Sequence, residues 1–267
     1  MEGMAASAHQ IESRSDAWTS RSITRFEDGV FASCDDSIIQ EYSIEVWING
    51  VLNRSITASP WNLVELAIGE LCLDGLIASK DQVISCEYDA EKGRIDVVCA
   101  ETESASSDTA YDSLGKETGA QKDLSHVFPK PADISLTPTD VSLLISLLED
   151  GSALFHRTGG VHSAVLLDKN GIEAWFEDIG RHSALDKLVG WCLLQDIDPS
   201  EKIVVFSGRV PFEIISKLGF LGVPCVISPG APTSASIDFA EKNNITLIGF
   251  AKEGRFNVYA HPERIAL

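Results

Sequence analysis

From residue 137 to residue 267 the chain alternates short apolar runs with helical stretches, and this alternation constrains the fold more than any other feature. TPTDVSLLISLLED (137–150) reads as a helix with Pro138 near its start. HSAVLLD (162–168) reads as a strand, and Asn170-Gly171 supplies a hairpin turn into IEAWFED (172–178). RHSALDKLVGWCLL (181–194) predicts an amphipathic helix with Leu185, Leu188, Val189 and Cys192 on one face. Strand and helix signals then follow in turn: IVVFSG (203–208), PFEIISKLGFLG (211–222), PCVIS (224–228), PTSASIDFAEKNN (232–244), ITLIGF (245–250) and RFNVYA (255–260). Such a series argues for an α/β fold, here a three-layer α/β domain over residues 127–267 with a largely parallel sheet.

The first part of the chain is organised differently. Residues 1–40 are polar and weakly patterned, and are expected to form a partly mobile N-terminal extension. Residues 41–100 read as a smaller α/β domain. SIEVWIN (43–49) alternates as a strand does, and Asn49-Gly50 is a turn signal. Ser59 suits a helix N-cap and Pro60 the first helical position. Leu63, Leu66, Ala67, Glu70 and Leu71 have helical spacing, Gly75 ends the helix, and RIDVVCA (94–100) is another strand. Residues 101–126 are rich in Ser, Thr, Asp and Glu, poor in large apolar groups, and predict a mobile polar loop.

Charge divides the chain in the same way. The net charge is −19, with −17 in residues 1–150 and −2 in residues 151–267. A chain this acidic repels phosphate backbones, so nucleic acid is not an expected partner. A small anionic ligand would have to bind in the near-neutral C-terminal part. No apolar run approaches the roughly 18–20 residues of a membrane span, and the N-terminus lacks a basic head followed by an apolar stretch. No membrane partner is expected, and the expected location is cytoplasmic.

The six cysteines, Cys34, Cys72, Cys86, Cys99, Cys192 and Cys225, include no C-x-x-C pair. Cys99, Cys192 and Cys225 sit in apolar runs and read as inert core; all six are expected to be free thiols.

In open α/β sheets, ligands bind at the carboxyl ends of strands. Three such ends carry glycine, serine or basic residues: Ser207-Gly208-Arg209, Ser228-Pro229-Gly230-Ala231-Pro232-Thr233, and Gly249-Phe250-Ala251-Lys252-Glu253-Gly254-Arg255. Glycine admits close backbone approach, helix N-termini offer free N–H groups, and arginine binds phosphate through paired hydrogen bonds. Ordinary turn chemistry explains each loop taken alone. Together they point to a phosphate-bearing or nucleotide-like ligand. A second cluster brings His162, Glu177, Asp178, Arg181 and His182 near strand ends, where the histidines are acid/base groups, ligands or hydrogen-bonded structural residues. Asp186 and Lys187, one turn further, read as an internal salt-bridge set. Zinc deaminases use H-x-E and P-C-x-x-C, whereas Pro224–Ser228 keeps one of the two thiols and His162-Ser163-Ala164 lacks the glutamate, so no permanent metal is expected. Neither G-x-S-x-G nor a P-loop occurs.

The strings TGGVHSAVLLD, EDIGRHSALDKLVG, FSGRVPFEIISKLGFLGVP, PGAPT and ITLIGFAKEGRFNVYAHPERI, with ASPWNLVELAIGELCLDGLI upstream, resemble the FdhD family of formate dehydrogenase accessory sulfurtransferases. The similarity runs from about residue 42 to the C-terminus, with a gap at the polar loop. The resemblance implies a small N-terminal α/β domain joined to one resembling the cytidine deaminase fold. It implies a homodimer that takes sulfur from a cysteine desulfurase as a persulfide and passes it to the molybdenum cofactor, a bis(molybdopterin guanine dinucleotide), for formate dehydrogenase. It also places guanine dinucleotide contacts at Phe250, Ala251, Lys252, Glu253, Gly254 and Arg255. Ser207, Arg209, Thr233, His162, Arg181 and His182 complete the expected cofactor-binding set.

One departure bears on activity. The family's persulfide loop reads approximately T-G-C-G-x-C-G, and the matching stretch is Thr118-Gly119-Ala120-Gln121-Lys122-Asp123-Leu124. Ala120 and Asp123 stand at the two cysteine positions, and residues 100–191 contain no cysteine. A persulfide needs a thiolate nucleophile. Two readings stay open: a sulfurtransferase that relays sulfur through a different thiol, and a cofactor-binding chaperone that carries none.

Overall fold

The computed structural model describes residues 17–100, 110–111, 117–118, 128, 130–168 and 170–266. The elements in the first part are β1 (Trp18–Glu27), β2 (Val30–Ile39), β3 (Tyr42–Ile48), β4 (Val51–Ala58), α1 (Leu63–Leu73), β5 (Val83–Asp89) and β6 (Arg94–Cys99). Two short strands, β7 (Ala110–Tyr111) and β8 (Glu117–Thr118), pair with each other. The second part contains α2 (Pro138–Gly151), α3 (Ala153–Thr158), β9 (His162–Asp168), β10 (Gly171–Asp178), α4 (Arg181–Leu194) and β11 (Ile203–Phe206). It continues with α5 (Phe212–Leu221), β12 (Cys225–Ile227), α6 (Ser234–Lys242), β13 (Thr246–Lys252) and β14 (Arg255–Ala260).

Six strands form the larger sheet in the order β10-β9-β11-β12-β13-β14. Its strands alternate between two covered faces, which is why they read as nearly continuous apolar runs. Ala164, Leu166, Val204, Phe206, Val226 and Leu247 point to the face covered by α4, α5 and α6. Val165, Leu167, Val205, Cys225, Ile227 and Ile248 point the other way, onto Val141, Ile145 and Leu148 of α2. Helix, sheet and helices thus make three layers. The sheet is mixed, not largely parallel: only β11–β12 and β12–β13 run parallel. The hairpins β9–β10 and β13–β14 are antiparallel, because short turns cannot join parallel neighbours, and the β9–β11 pair is antiparallel as well.

The smaller sheet, β4-β3-β6-β5, turns Ile44, Val46, Ile95 and Val97 onto α1. Helix α1 lies against α4, so a single apolar cluster runs from the small sheet through both helices into the large one. This sandwiching changes α4. Nine of its 14 residues are buried, including Asp186 and Lys187, so it has no solvent face of the kind an amphipathic helix presents.

Several local expectations are corrected. Over residues 18–39 the expected extension is a hairpin, β1–β2, closed by Asp28-Gly29 with both residues at positive φ. Strand β4 follows the Asn49-Gly50 turn; it was not legible in NRSIT. The N-cap position of α1 is Asn62, not Ser59, and it carries no side-chain capping hydrogen bond. Ser59 is buried and serves a tertiary contact instead: its N–H donates to Asp178 Oδ2 (3.0 Å), and its Oγ accepts from Ile179 N–H (3.1 Å). Asp186 and Lys187 are internal salt-bridge residues as expected, but with separate partners, since adjacent helix positions point apart. Lys187 Nζ pairs with Asp178 (2.6 Å), and Asp186 pairs with Lys217 (2.5 Å).

Among the described residues no helix is long and apolar enough to cross a membrane. The expected polar loop over 101–126 lies outside the described residues apart from β7 and β8.

Candidate functional site: a basic pocket at the strand ends

Antiparallel pairing puts the start of β9 beside the ends of β10 and β11, with His162 opposite Asp178 and Ala164 opposite Phe206. The loops after β11 and β12 meet there. Ser228 ties them together: its Oγ donates to Gly208 O (2.6 Å) and accepts from Gly230 N–H (2.9 Å). Val210 N–H donates to Ala231 O (3.1 Å). A Cβ on Gly230 would lie 2.6 Å from Gly208 O, so the two loops can lie this close only with glycine there. Between them opens a pocket of about 420 Å³ lined by His162, Arg181, Ser207, Gly208, Arg209, Pro229 and Gly230. That volume falls within the range of small-molecule sites.

Ser207 fixes the pocket's inner wall. Its Oγ accepts from Ser163 N–H (2.9 Å) and sits 3.3 Å from His162 Nδ1. Burial, and then the nearby Arg181 charge, hold the His162 imidazole below its usual range, with Asp178 opposing. The imidazole is therefore neutral near pH 7, with one ring nitrogen able to accept and the other to donate a hydrogen bond.

Arg181 opens α4 after a tightly held turn. Asp178 Oδ1 accepts from Gly180 N–H (2.8 Å), while its other oxygen takes Lys187 and Ser59. Lys187 Nζ also donates to Glu177 O (3.1 Å), as does Trp61 Nε1 (2.9 Å). Asp178 and Lys187 are fully buried. This network anchors the turn from beneath. The N-cap of α4 is Gly180, which has no side chain to satisfy the first helical N–H groups. Arg181 Nε is buried and has no hydrogen-bond partner among the described residues. The unpartnered Arg181 Nε, a helix N-terminus and two guanidiniums make the pocket chemically suited to an anion such as phosphate.

The remaining expected residues fall in three places. Thr233 caps α6, accepting from Ser236 N–H (3.3 Å). His182 lies in the first turn of α4 but does not line the pocket; burial, Lys217 and Arg181 push its pKa down to about 4, against Glu213. Phe250, at φ 50°, donates its N–H to Gly230 O (3.1 Å), and buried Ala251 donates to Ser228 O (3.0 Å). Their main chain thus adjoins the pocket loops. Lys252, Glu253, Gly254 and Arg255 are exposed at the β13–β14 turn, where Gly254 N–H meets Ser142 Oγ (3.3 Å), and none of them lines the pocket. Ala120 and Asp123 lie outside the described residues. The supporting group of Ser59, Trp61, Asp178 and Lys187 was missed as a unit. Apart from the acidic Glu177-Asp178 pair next to Arg181, the sequence holds no signal for it.

All six cysteines are free. Cys192 and Cys225 are buried as expected, Cys99 only in part. Burial pushes the thiols of Cys72, Cys86 and Cys225 up to about 12, and raises those of Cys99 and Cys192 as well. Such thiols stay protonated and are poor nucleophiles. Among the described residues no group of three or more His, Cys, Asp or Glu side chains is placed to hold a metal ion.

Fold and pocket together define a mixed α/β protein with a basic site of small-molecule size at its strand ends. The model of the FdhD/NarQ family matches residues 39–266, and the chain belongs to that family. It is 35% identical to the sulfur carrier protein FdhD of Staphylococcus haemolyticus over 257 residues, covering 94% of this chain and 97% of that one. It is 37% identical to the protein of the same name from Bacillus licheniformis, covering 92% and 97%. A crystal structure from Desulfotalea psychrophila, assigned as a formate dehydrogenase accessory protein, superposes with a TM-score of 0.76 at 23% identity. That likeness covers 94% of this chain and all of the other, and it shows a shared fold.

Proposed function

We propose that this chain is a formate dehydrogenase accessory protein that binds the molybdenum cofactor, as the bis(molybdopterin guanine dinucleotide), and supports its sulfuration and insertion into the enzyme. The observation that carries this reading is Arg181: its Nε is buried without a partner among the described residues, and the residue lies at the start of α4 beside Arg209 and His162 in one pocket. A diphosphate of the guanine dinucleotide would satisfy it. His162 and Ser207 would orient the phosphate oxygens, and the backbone of Phe250 and Ala251 would carry the adjoining loop. The pocket suits the nucleotide end of the cofactor, not its whole bulk. The names of the relatives, sulfur carrier proteins, support the sulfuration part of this role. The expected partners are formate dehydrogenase, a cysteine desulfurase and a second copy of the chain, in the cytoplasm.

A second observation favours cofactor holding over sulfur relay. Ala120 and Asp123 replace the loop cysteines, and burial raises five of the six thiols. Two measurements test the proposal. Titration calorimetry with guanosine diphosphate should show binding that Arg181→Ala weakens; no binding to the parent chain refutes the pocket assignment. Intact-mass spectrometry after incubation with a cysteine desulfurase and cysteine should show no reducible one-sulfur adduct. An adduct mapped to one cysteine would instead establish a relay on a relocated thiol.

A further inference from the structure

Where α1 crosses α4, the two backbones touch. A Cβ on Gly69 would lie 1.8 Å from Asp186 O. The residue after Gly69 and the residue at that carbonyl are both acids, Glu70 and Asp186. Asp74 is the third, one turn along α1. Two cations face them. Arg54, reaching in from β4, pairs with Asp74, and its other nitrogen stands 4.0 Å from Glu70 Oε1. Lys217, from α5, holds Asp186 at 2.5 Å. Three carboxyls therefore share two cations, and each cation is already committed to an aspartate. Glu70 is the group left over. Its Oε2 is buried with no hydrogen-bond partner among the described residues.

We infer that the α1–α4 crossing is a proton-operated joint: Glu70, Asp74 and Asp186 share Arg54 and Lys217, and the crossing is tight only while one proton is held among the three carboxyls. An unpaired buried carboxylate is far costlier than a neutral carboxyl, so the proton settles on the group with the poorest partner. Burial first, and then Asp186, push Glu70 up to about 7, and burial also raises Asp74 and Asp186. Arg54 and Lys217 oppose the rise in every case. The sign follows. The folded state holds a proton that the unfolded state has lost, so this group makes stability fall as pH rises from the ordinary glutamate range to about 7. Losing the proton leaves three carboxylates against two cations beside a crossing where the backbones already touch. The small sheet is joined to the large one through these helices, so the joint links their packing to pH.

The test compares the full chain with Glu70→Gln. Thermal midpoints should coincide at about pH 5, and the glutamine variant should become progressively the more stable as pH rises towards about 8. Amides of residues 63–73 should lose protection from hydrogen exchange over the same range in the parent chain but not in the variant. A gap between the two chains that stays constant with pH overturns the proposal. If Glu70→Gln does not fold, carboxyl carbon NMR of the parent decides: a Glu70 midpoint near neutrality supports the joint, and one below about pH 5 overturns it.

Discussion

Gly69 and Gly190 face each other where α1 crosses α4: a Cβ on Gly190 would lie 2.6 Å from Gly69 N and 1.9 Å from Glu65 O. Both contacts are with main chain, so neither helix can yield by turning a side chain aside. Gly190→Ala should therefore destabilise the protein by about 3 kcal/mol, despite the better helix propensity of alanine. Urea unfolding measures this, and a midpoint equal to or above that of the parent would contradict the crossing geometry.

Lys187 and Asp178 form a fully buried pair beneath the pocket. Removing one partner strands the other charge. Lys187→Met should cost about 3–5 kcal/mol, and adding Asp178→Asn should recover part of it. Unfolding free energies of the two single variants and the double variant make the cycle, and strict additivity would show that the pair is uncoupled.

Arg181 lines the pocket, and its buried Nε has no hydrogen-bond partner among the described residues. A charge-assisted hydrogen bond contributes about 1.5–3 kcal/mol, so Arg181→Ala should weaken binding of guanosine diphosphate by roughly 10- to 100-fold. Arg255 stands away from the pocket lining at the β13–β14 turn, so Arg255→Ala separates a contribution of that turn from the pocket's own. Calorimetry on both variants measures the two effects.

His182 is held neutral in the folded state, with its pKa pushed down to about 4. An unfolded histidine titrates near about 6.5, so the unfolded state binds more protons between those values. This group makes stability fall as pH falls from about 6.5 towards about 4. His182→Gln should flatten the acid limb of the stability profile. An unchanged slope would mean that His182 is solvated. The effect runs opposite to that of Glu70 over nearly the same pH window, so the two variants separate contributions that partly cancel in the parent chain.

The elements that the sequence made legible are those whose signals are local. Arg181–Leu194 and Arg255–Ala260 have the bounds that their patterns imply, and the Asn49-Gly50 turn closes a hairpin as such a dipeptide should. The β1–β2 hairpin was hidden because its strands are polar: a two-stranded ribbon with little buried surface leaves no period-two apolar trace. Strand direction was misjudged for a related reason. Periodicity marks a strand but says nothing about its neighbour, so the mixed sheet could not be told from a parallel one. Ser59 has the chemistry of an N-cap, yet the buried carboxylate of Asp178, 119 residues away, claims its N–H.

The pocket divides along the same line. Glycine, serine and arginine at the ends of apolar strands were readable in the chain, because those residue types are what close loops and anions require. That His162, Arg181, Ser207 and Arg209 share one cavity, while Lys252 and Arg255 stand outside it, was decided by strand order and by the path of α4. The amino-acid sequence by itself determined the α/β alternation, the acidic and near-neutral halves, and the absence of cysteine from residues 100–191. Only the tertiary structure decided that Lys187 pairs with Asp178, that Glu70 is left without a cation of its own, and that two glycines meet at the α1–α4 crossing. Composition and periodicity are set along the chain, whereas charge pairing and close approach depend on distances that exist only once the helices have packed.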